Sequence, residues 1–144
     1  MSVFFSRQCE YALQAIIYLA RKKQGEMSTI KEISGKLDIP FHFLGKIFQK
    51  LTRQGLLHSM KGVSGGFWLA KPATEIVLFD VVIAIDGKEI MDKCVLGYAE
   101  CNIAEPCPMH EQWKEAKSLF FGLLMKKNIH QIAKEMKKGG YLVS

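Results

Sequence analysis

The sequence has no apolar run long enough to cross a membrane. Its two longest runs, 12–20 and 76–85, contain nine and ten residues, whereas a transmembrane helix needs about 20. The first residues also lack a basic segment followed by an apolar core and a cleavage site. We therefore expect no membrane partner and a cytoplasmic location, where cysteines bind metal or sense redox state more often than they form disulfides.

Acidic residues are scarce in the first half of the chain. Residues 1–71 hold 11 Lys/Arg and 4 Asp/Glu, a balance of +7, and residues 72–144 hold 9 and 10, a balance of −1. No acidic residue lies between positions 41 and 71. Positive charge confined to one half is typical of a protein that binds nucleic acid, although a merely solvated basic surface is the alternative. No nucleotide-binding loop or catalytic triad pattern is present, so we expect no enzyme.

Apolar residues recur at helical spacing in residues 6–23 and again in residues 41–54. Between them, a short helix opens with Thr29 as its cap and Glu32 placed to reach back. Gly55 follows the third helix where a left-handed cap is common. A short helix, a tight turn and an amphipathic helix predict a helix-turn-helix. We expect the third helix to face inward with Phe41, Leu44, Ile47, Phe48 and Leu51.

Two short strands, 57–61 and 67–70, are predicted around the glycine-rich turn GVSGG. A hairpin directly after a helix-turn-helix is a wing. The third helix would enter the major groove of double-stranded DNA while the hairpin tip lies along the backbone or in the minor groove. The candidate DNA-binding residues are Lys46, Lys50, Arg53 and Lys61 for phosphates, His42 and Gln49 for base edges, and Gly65 and Gly66 for close approach of the wing.

A long helix is predicted over 109–127, and its apolar face is wider than one small domain buries. This width predicts pairing with a second copy, that is, a homodimer. We expect a mainly α fold with a small β-hairpin. Its parts are a winged helix-turn-helix DNA-binding domain over 1–87, a cysteine-rich cluster-binding loop over 88–108, and a dimerisation helix with a C-terminal tail over 109–144.

The connection from 87 to 108 is a predicted loop of about twenty residues, which is uncommon in a compact protein unless something orders it. It contains Cys94, Cys101 and Cys107, and His110 follows three residues later. These donors suit a tetrahedral zinc site or an iron–sulfur cluster. No short Cys-x2–4-Cys knuckle is present, so the spacing favours the cluster, with zinc and isolated thiols as alternatives. Cys9 is expected in the core.

Together these elements resemble the bacterial winged-helix transcription regulators of the Rrf-two type, the family of IscR, NsrR and CymR. The resemblance runs from about residue 5 to residue 136 and is carried by EYALQAIIYLA, IKEISGKLDIPFHFLGKIFQKLTRQGLL, KGVSGGFWLAKP, VVIAIDG and the late C…C…C-P-M-H segment. It implies a homodimeric repressor or activator on a roughly palindromic operator. It also implies an iron–sulfur cluster on Cys94, Cys101 and Cys107 that tunes DNA binding by redox or cluster state; we favour 2Fe-2S over 4Fe-4S.

The resemblance leaves two candidates for the fourth ligand. We prefer His110 because it is local, and the alternative is Glu10 of the partner subunit. At Gly45, iron–sulfur members often carry a polar or acidic side chain, so the operator sequence does not transfer to this chain. Two rival functions stay open: a constitutive DNA-binding protein with structural zinc, and an iron–sulfur electron-transfer module.

Overall fold

The computed structural model describes residues 5–98 and 105–136. Within these residues the fold is mainly α-helical with one antiparallel hairpin, as the sequence predicts. Two short 3₁₀ segments, Ala73–Glu75 and Lys88–Asp92, flank the fourth helix. The helices are α1 (Arg7–Ala20), α2 (Ile30–Leu37), α3 (Phe41–Arg53), α4 (Leu78–Asp86), α5 (His110–Leu123) and α6 (Ile129–Glu135), and the strands are β1 (Leu57–Met60) and β2 (Gly66–Leu69).

The start of α2 shows how local and tertiary contacts share the polar groups. The hydroxyl of Thr29 accepts a 3.0 Å hydrogen bond from the backbone N–H of Glu32, which confirms the predicted cap. The reciprocal half of that prediction is wrong. The carboxylate of Glu32 accepts instead from the Tyr18 hydroxyl at 2.6 Å and from the Lys22 ammonium at 2.7 Å. These contacts fasten α2 to the C-terminal half of α1.

One apolar core joins the N-terminal helices to the C-terminal ones. Helix α1 packs against α3, α4 and α6. The prediction for α3 holds at four of its five inward positions, but Phe41 is 51% exposed. As the first residue of α3, Phe41 lies beyond the edge of the core. The largest fully buried side chains include Ile16, Ile33, Leu44, Ile47, Phe48, Leu51, Val81 and Ile129.

The hairpin pairs Leu57 with Leu69 and Met60 with Gly66. A third extended segment joins it, because Ser28 and Phe67 exchange backbone hydrogen bonds of 2.9 and 2.8 Å. A Cβ atom at Gly65 would overlap the carbonyl oxygen of Met60, so this position requires glycine. A Cβ atom at Gly66 would approach the carbonyl oxygen of Ser28 to 2.9 Å. The close packing of the hairpin thus explains both glycines.

The C-terminal segment returns to the core after α5. The backbone N–H of Phe79 donates to the carbonyl of Leu124 at 3.2 Å, and that of Ile129 donates to the carbonyl of Ile76 at 2.7 Å. Leu124 and Ile129 are both buried, whereas none of the residues of α5 is. The C-terminal end of α5 is therefore fixed to the core, while most of its length is exposed. Among the described residues, no helix is both long and apolar enough to traverse a bilayer.

Candidate functional site

The outer face of α3 gathers four of the residues predicted to bind DNA. His42, Lys46, Gln49 and Arg53 are all exposed. Their spacing of four, three and four residues puts them in one stripe along the helix. The opposite face is the buried one that packs into the core. We call these four residues the α3 stripe, and it carries two cations and two side chains that hydrogen-bond.

Lys50 lies outside the α3 stripe. Its side chain is half-buried, and its ammonium group donates a 3.2 Å hydrogen bond to the backbone carbonyl of Ile85 in the last turn of α4. A cation is favourable there because the carbonyl end of a helix carries partial negative charge. The structure thus separates Lys50 from the other lysines predicted to contact phosphate.

The hairpin tip supplies the remaining predicted residues. Lys61 is exposed directly after β1, and Val63, at the turn, is fully exposed. Gly65 and Gly66 lie on the returning side of the turn. No Asp or Glu occurs between Asp38 and Glu75. The α3 stripe and the wing therefore form a surface to which this part of the chain contributes positive charge and no carboxylate.

The sequence did not indicate that two aromatic rings at the start of α3 lie at the surface. Phe41 is 51% exposed and Phe43 is 46% exposed. The ring of Phe41 meets that of His42 nearly perpendicularly, at 88° and 6.0 Å between centroids. The ring of Phe43 meets Tyr11 of α1 edge-on at 6.2 Å. Phe41 shares the helical spacing of the core positions, and only its place at the end of the helix signals its exposure.

The cysteine loop brings two of its thiols together. Cys94 is 9% exposed, and its Sγ accepts a 3.4 Å hydrogen bond from the backbone N–H of Leu96. This N–H is the main cause that lowers the pKa of the Cys94 thiol; burial opposes it, while the Tyr98 N–H and the Cys107 thiol add to it. Hydrogen bonds of this kind stabilise a thiolate, which is the form that binds metal.

The other predicted ligands are not gathered around the two thiols in the part of the chain that the structure describes. Cys101 lies outside the described residues. His110 begins α5 and donates its backbone N–H to the carbonyl of Cys107 at 3.0 Å. Within residues 5–98 and 105–136, no three His, Cys, Asp or Glu side chains are grouped closely enough to hold a metal ion. The thiols of Cys94 and Cys107 adjoin each other, and thiolates are suitable donors for a thiophilic metal or an iron–sulfur cluster. The alternative fourth ligand, Glu10, is half-buried in the first turn of α1.

Cys9 has the opposite environment. It is 0% exposed within the core, as the sequence predicts. Burial, reinforced by the charges of Asp86 and Glu10, raises the pKa of its thiol to about 12. Cys9 therefore stays protonated at neutral pH, and a protonated thiol is a poor metal ligand.

Helix α5 holds the start of the cysteine loop. The indole Nε1 of Trp113 donates to the carbonyl of Lys93 at 2.8 Å, next to Cys94. The ammonium of Lys117 donates to the carbonyl of Met91 at 2.8 Å. Between them lies a mostly apolar cleft of about 260 Å³, lined in part by Cys94, Trp113 and Phe120. The position of Cys94 is thereby fixed relative to α5.

Comparison with known proteins decides the family. A family profile described as an iron-dependent transcriptional regulator, Rrf2, matches residues 5–135. The chain belongs to the Rrf2 family. Members of this family regulate transcription by binding DNA, so this chain is a DNA-binding transcription regulator and not an enzyme. This confirms the family and the biochemical class expected from the sequence.

Several curated proteins are similar over most of this Rrf2 chain. Protein aau3 of Rhizobium meliloti is 32% identical over 139 residues, which cover 96% of this chain and 90% of that protein. A protein of Aquifex aeolicus described as an HTH-type transcriptional regulator is 33% identical over 118 residues, covering 81% of each. The regulator IscR of Photorhabdus laumondii is 28% identical over 122 residues, covering 85% of this chain and 74% of that one.

Solved structures show the same fold. CymR, described as the global cysteine regulator of B. subtilis, has a TM-score of 0.78 at 22% identity, covering 94% of this chain and all of that one (100%). IscR of T. potens has a TM-score of 0.73 at 19% identity, covering 96% of this chain and 94% of that one. The Rrf2 chain thus has the winged-helix architecture expected from its hairpin and its helix-turn-helix.

Proposed function

We propose that the chain binds a roughly palindromic double-stranded operator in the cytoplasm as a homodimer, and that an iron–sulfur cluster in the cysteine loop tunes this binding. The observation that carries the proposal is the α3 stripe, which lies in a segment without carboxylates, from position 39 to position 74. Lys46 and Arg53 of the stripe, with Lys61 of the wing, would neutralise phosphates. His42 and Gln49 would face base edges in the major groove.

The exposed side of α5 supports the homodimer. Leu119 and Leu123 of α5 are 74% and 59% exposed, and Met125, two residues after the helix, is 50% exposed. Leucines so exposed on one helix are typical of an interface that the single chain leaves uncovered. A twofold pairing along α5 would present two copies of α3 to successive major grooves about 34 Å apart, which is why the operator would be palindromic.

The cluster ligands we propose are Cys94, Cys101, Cys107 and His110, with Glu10 of the partner subunit as the alternative to His110. The adjoining thiols of Cys94 and Cys107 support this set, as does the hydrogen bond that the Leu96 N–H donates to the Cys94 sulfur. A bound cluster, 2Fe-2S rather than 4Fe-4S, would supply a centre sensitive to oxidation and to iron supply. The chain's own residues would orient the thiolates and, through Trp113, tie the loop to α5.

The position of the loop supports a regulatory role for it. It connects α4, whose last turn receives the Lys50 ammonium of α3, with α5, whose exposed face would pair the subunits. A change in the order of the loop would alter the spacing of the two α3 helices, and with it the operator affinity. In this view the signal is either the redox state or the presence of the cluster, and the response is repression or activation of transcription.

The test is an absorption spectrum with iron, sulfide and zinc analysis on protein purified without oxygen. We expect visible charge-transfer bands and matching iron and sulfide contents in the native chain, and their loss in Cys94→Ala and Cys101→Ala. Cys9→Ala is the matched control and should keep the cluster, because its thiol is buried and protonated. A colourless protein with one zinc per chain would contradict the cluster and leave a constitutive regulator with structural zinc.

A further inference from the structure

Phe41 lies half exposed at the first residue of α3, beside the α3 stripe. The core beneath α3 is filled by Leu44, Ile47 and Phe48, so folding does not require a large apolar ring at this exposed position. The ring stands edge-on to His42. A large apolar side chain on a surface of lysines and arginines indicates a partner that offers an apolar group within a negatively charged frame.

One turn further along α3, the chain has a glycine and therefore no side chain. Gly45 lies on the same flank of α3 as Phe41, four residues later. A Cβ atom built at Gly45 would meet only Ile30 Cδ1, at 4.0 Å. Packing therefore does not demand glycine, which costs a helix stability relative to alanine. The missing side chain leaves space on the flank of α3 that carries Phe41, and we call this space the Phe41–Gly45 recess.

We propose that Phe41 reads thymine in the operator by packing its ring against the C5-methyl group in the major groove, with Gly45 leaving room for the base edge. This inference rests on the proposed placement of α3 in the major groove. The first residues of a recognition helix are those that contact base edges. The thymine methyl is the apolar group displayed in the major groove, and a phenyl ring can recognise it although the ring donates no hydrogen bond.

Charge favours DNA over a protein as the occupant. The recess adjoins Lys46 in the α3 stripe, and no carboxylate occurs in the sequence from position 39 to position 74. A polyanion is attracted to such a surface, and among polyanions the DNA major groove presents methyl groups at the depth that a helix reaches.

Phe43 provides a matched control within the same helical turn. It is the same residue type with similar exposure, 46% against 51% for Phe41. It lies on the other flank of the α3 stripe, where its ring packs edge-on against Tyr11 of α1. Contact with α1 accounts for Phe43, and we assign it no base contact.

The experiment begins with the full chain selecting duplexes from a random library. One enriched duplex is then made with thymine and again with deoxyuridine, which pairs identically and lacks only the methyl group. We expect the native protein to bind the deoxyuridine duplex about three- to fivefold more weakly for each contacted methyl. Phe41→Ala should bind the thymine duplex more weakly by a similar factor and should bind the two duplexes alike. Phe43→Ala should keep the native preference for thymine.

Each other outcome overturns the inference at a different step. If Phe41→Ala keeps the preference for thymine, another residue reads the methyl. If the native protein binds both duplexes equally, no methyl is read, and an unchanged affinity in Phe41→Ala would mean that the ring does not contact DNA. If the library yields no enriched sequence, sequence-specific DNA binding itself fails, a result distinct from loss of the methyl contact alone.

Discussion

The ammonium group of Lys50 donates a 3.2 Å hydrogen bond to the carbonyl oxygen of Ile85, which joins the C-terminal half of α3 to the last turn of α4. Lys46, one turn earlier on α3, is exposed in the α3 stripe. Two lysines four residues apart on one helix thus have different surroundings. Lys46 is available to a ligand, whereas Lys50 fixes α3 to the last turn of α4, which leads into the cysteine loop.

Substitution of these two lysines should separate DNA binding from stability. Lys46→Gln should make the dependence of log affinity on log salt shallower by about 0.9 for each phosphate that is no longer neutralised, hence by about two per dimer. Lys50→Gln should leave that slope unchanged and lower the free energy of unfolding by about 1 kcal/mol, since it removes a partly buried hydrogen bond. DNA binding measured at several salt concentrations and urea unfolding check both expectations.

Lys134→Gln, on the exposed side of α6, serves as the control and should change neither quantity. If Lys50→Gln reduced the salt slope as much as Lys46→Gln, the Lys50 ammonium would have to leave Ile85 and contact phosphate in the complex. That result would restore Lys50 to the set of phosphate contacts expected from the sequence.

Two glycines in and after α3 should respond to alanine in opposite ways. Gly45 is inside the helix, and a Cβ atom there meets only Ile30 Cδ1 at 4.0 Å. Gly45→Ala should therefore raise the free energy of unfolding by about 1 kcal/mol and the melting temperature by about 3 °C. Gly55 has a φ of +81°, so Gly55→Ala should lower stability by about 1 kcal/mol. Circular dichroism during thermal unfolding measures both, and destabilisation by Gly45→Ala would contradict the open space beside Phe41.

The fold followed from the sequence wherever the determining contacts are local. Thr29 caps α2 through a group three residues away, and the helical spacing of Leu44, Ile47 and Phe48 reports the face of α3 that lies inside. The errors arose where distant groups compete. Glu32 was expected to close its own cap, but the Lys22 ammonium and the Tyr18 hydroxyl are stronger partners for a carboxylate than a backbone N–H is.

The candidate site was predictable in its chemistry and less so in its geometry. The lack of carboxylates and the helical spacing indicated the α3 stripe. Periodicity could not show that Phe41 lies past the edge of the core, nor that Lys50 turns toward α4. For the cysteine loop, sequence indicates the donors, but the hydrogen bond from the Leu96 N–H to the Cys94 sulfur depends on a backbone bend that no pattern encodes.

Glu32 should give α2 a stability that depends on pH. Its hydrogen bonds with Lys22 and then with Tyr18 lower the pKa of its carboxyl below the ordinary value of 4.5. A lowered folded pKa contributes stability that is complete above 4.5 and is lost as the pH falls through the folded value. Glu32→Gln should therefore cost about 0.5–1 kcal/mol at pH 7, where solvent screens these partly exposed groups, and almost nothing near pH 2.

Urea unfolding of both proteins across this pH range provides the measurement. Glu26→Gln is the control, because Glu26 makes the longer and more exposed pair with Lys22, 3.3 Å against 2.7 Å for Glu32. It should cost less than about 0.5 kcal/mol at pH 7. A Glu32→Gln deficit that persisted unchanged at low pH would mean that packing, and not the ionised carboxylate, holds α2 on α1.

The exposed leucines of α5 provide the sharpest test of the homodimer. Leu119 and Leu123 are 74% and 59% exposed in the single chain, so a charge at either position should not disturb the monomer fold. In a twofold dimer both copies of each leucine would be buried, which contributes about 1.5–3 kcal/mol per side chain. Leu119→Glu should therefore raise the dimer dissociation constant about 100-fold or more, as measured by sedimentation equilibrium, with an unchanged circular dichroism spectrum.

Val63→Glu distinguishes this effect from any added negative charge. Val63 is fully exposed at the wing tip, far along the chain from α5, so a carboxylate there should leave the dimer intact and weaken DNA binding by repelling phosphate. Leu119→Glu should weaken operator binding by separating the subunits, while each monomer can still contact one half-site. If Leu119→Glu stayed dimeric, the subunits would pair through another surface, and the spacing of the two α3 helices could not be set by α5.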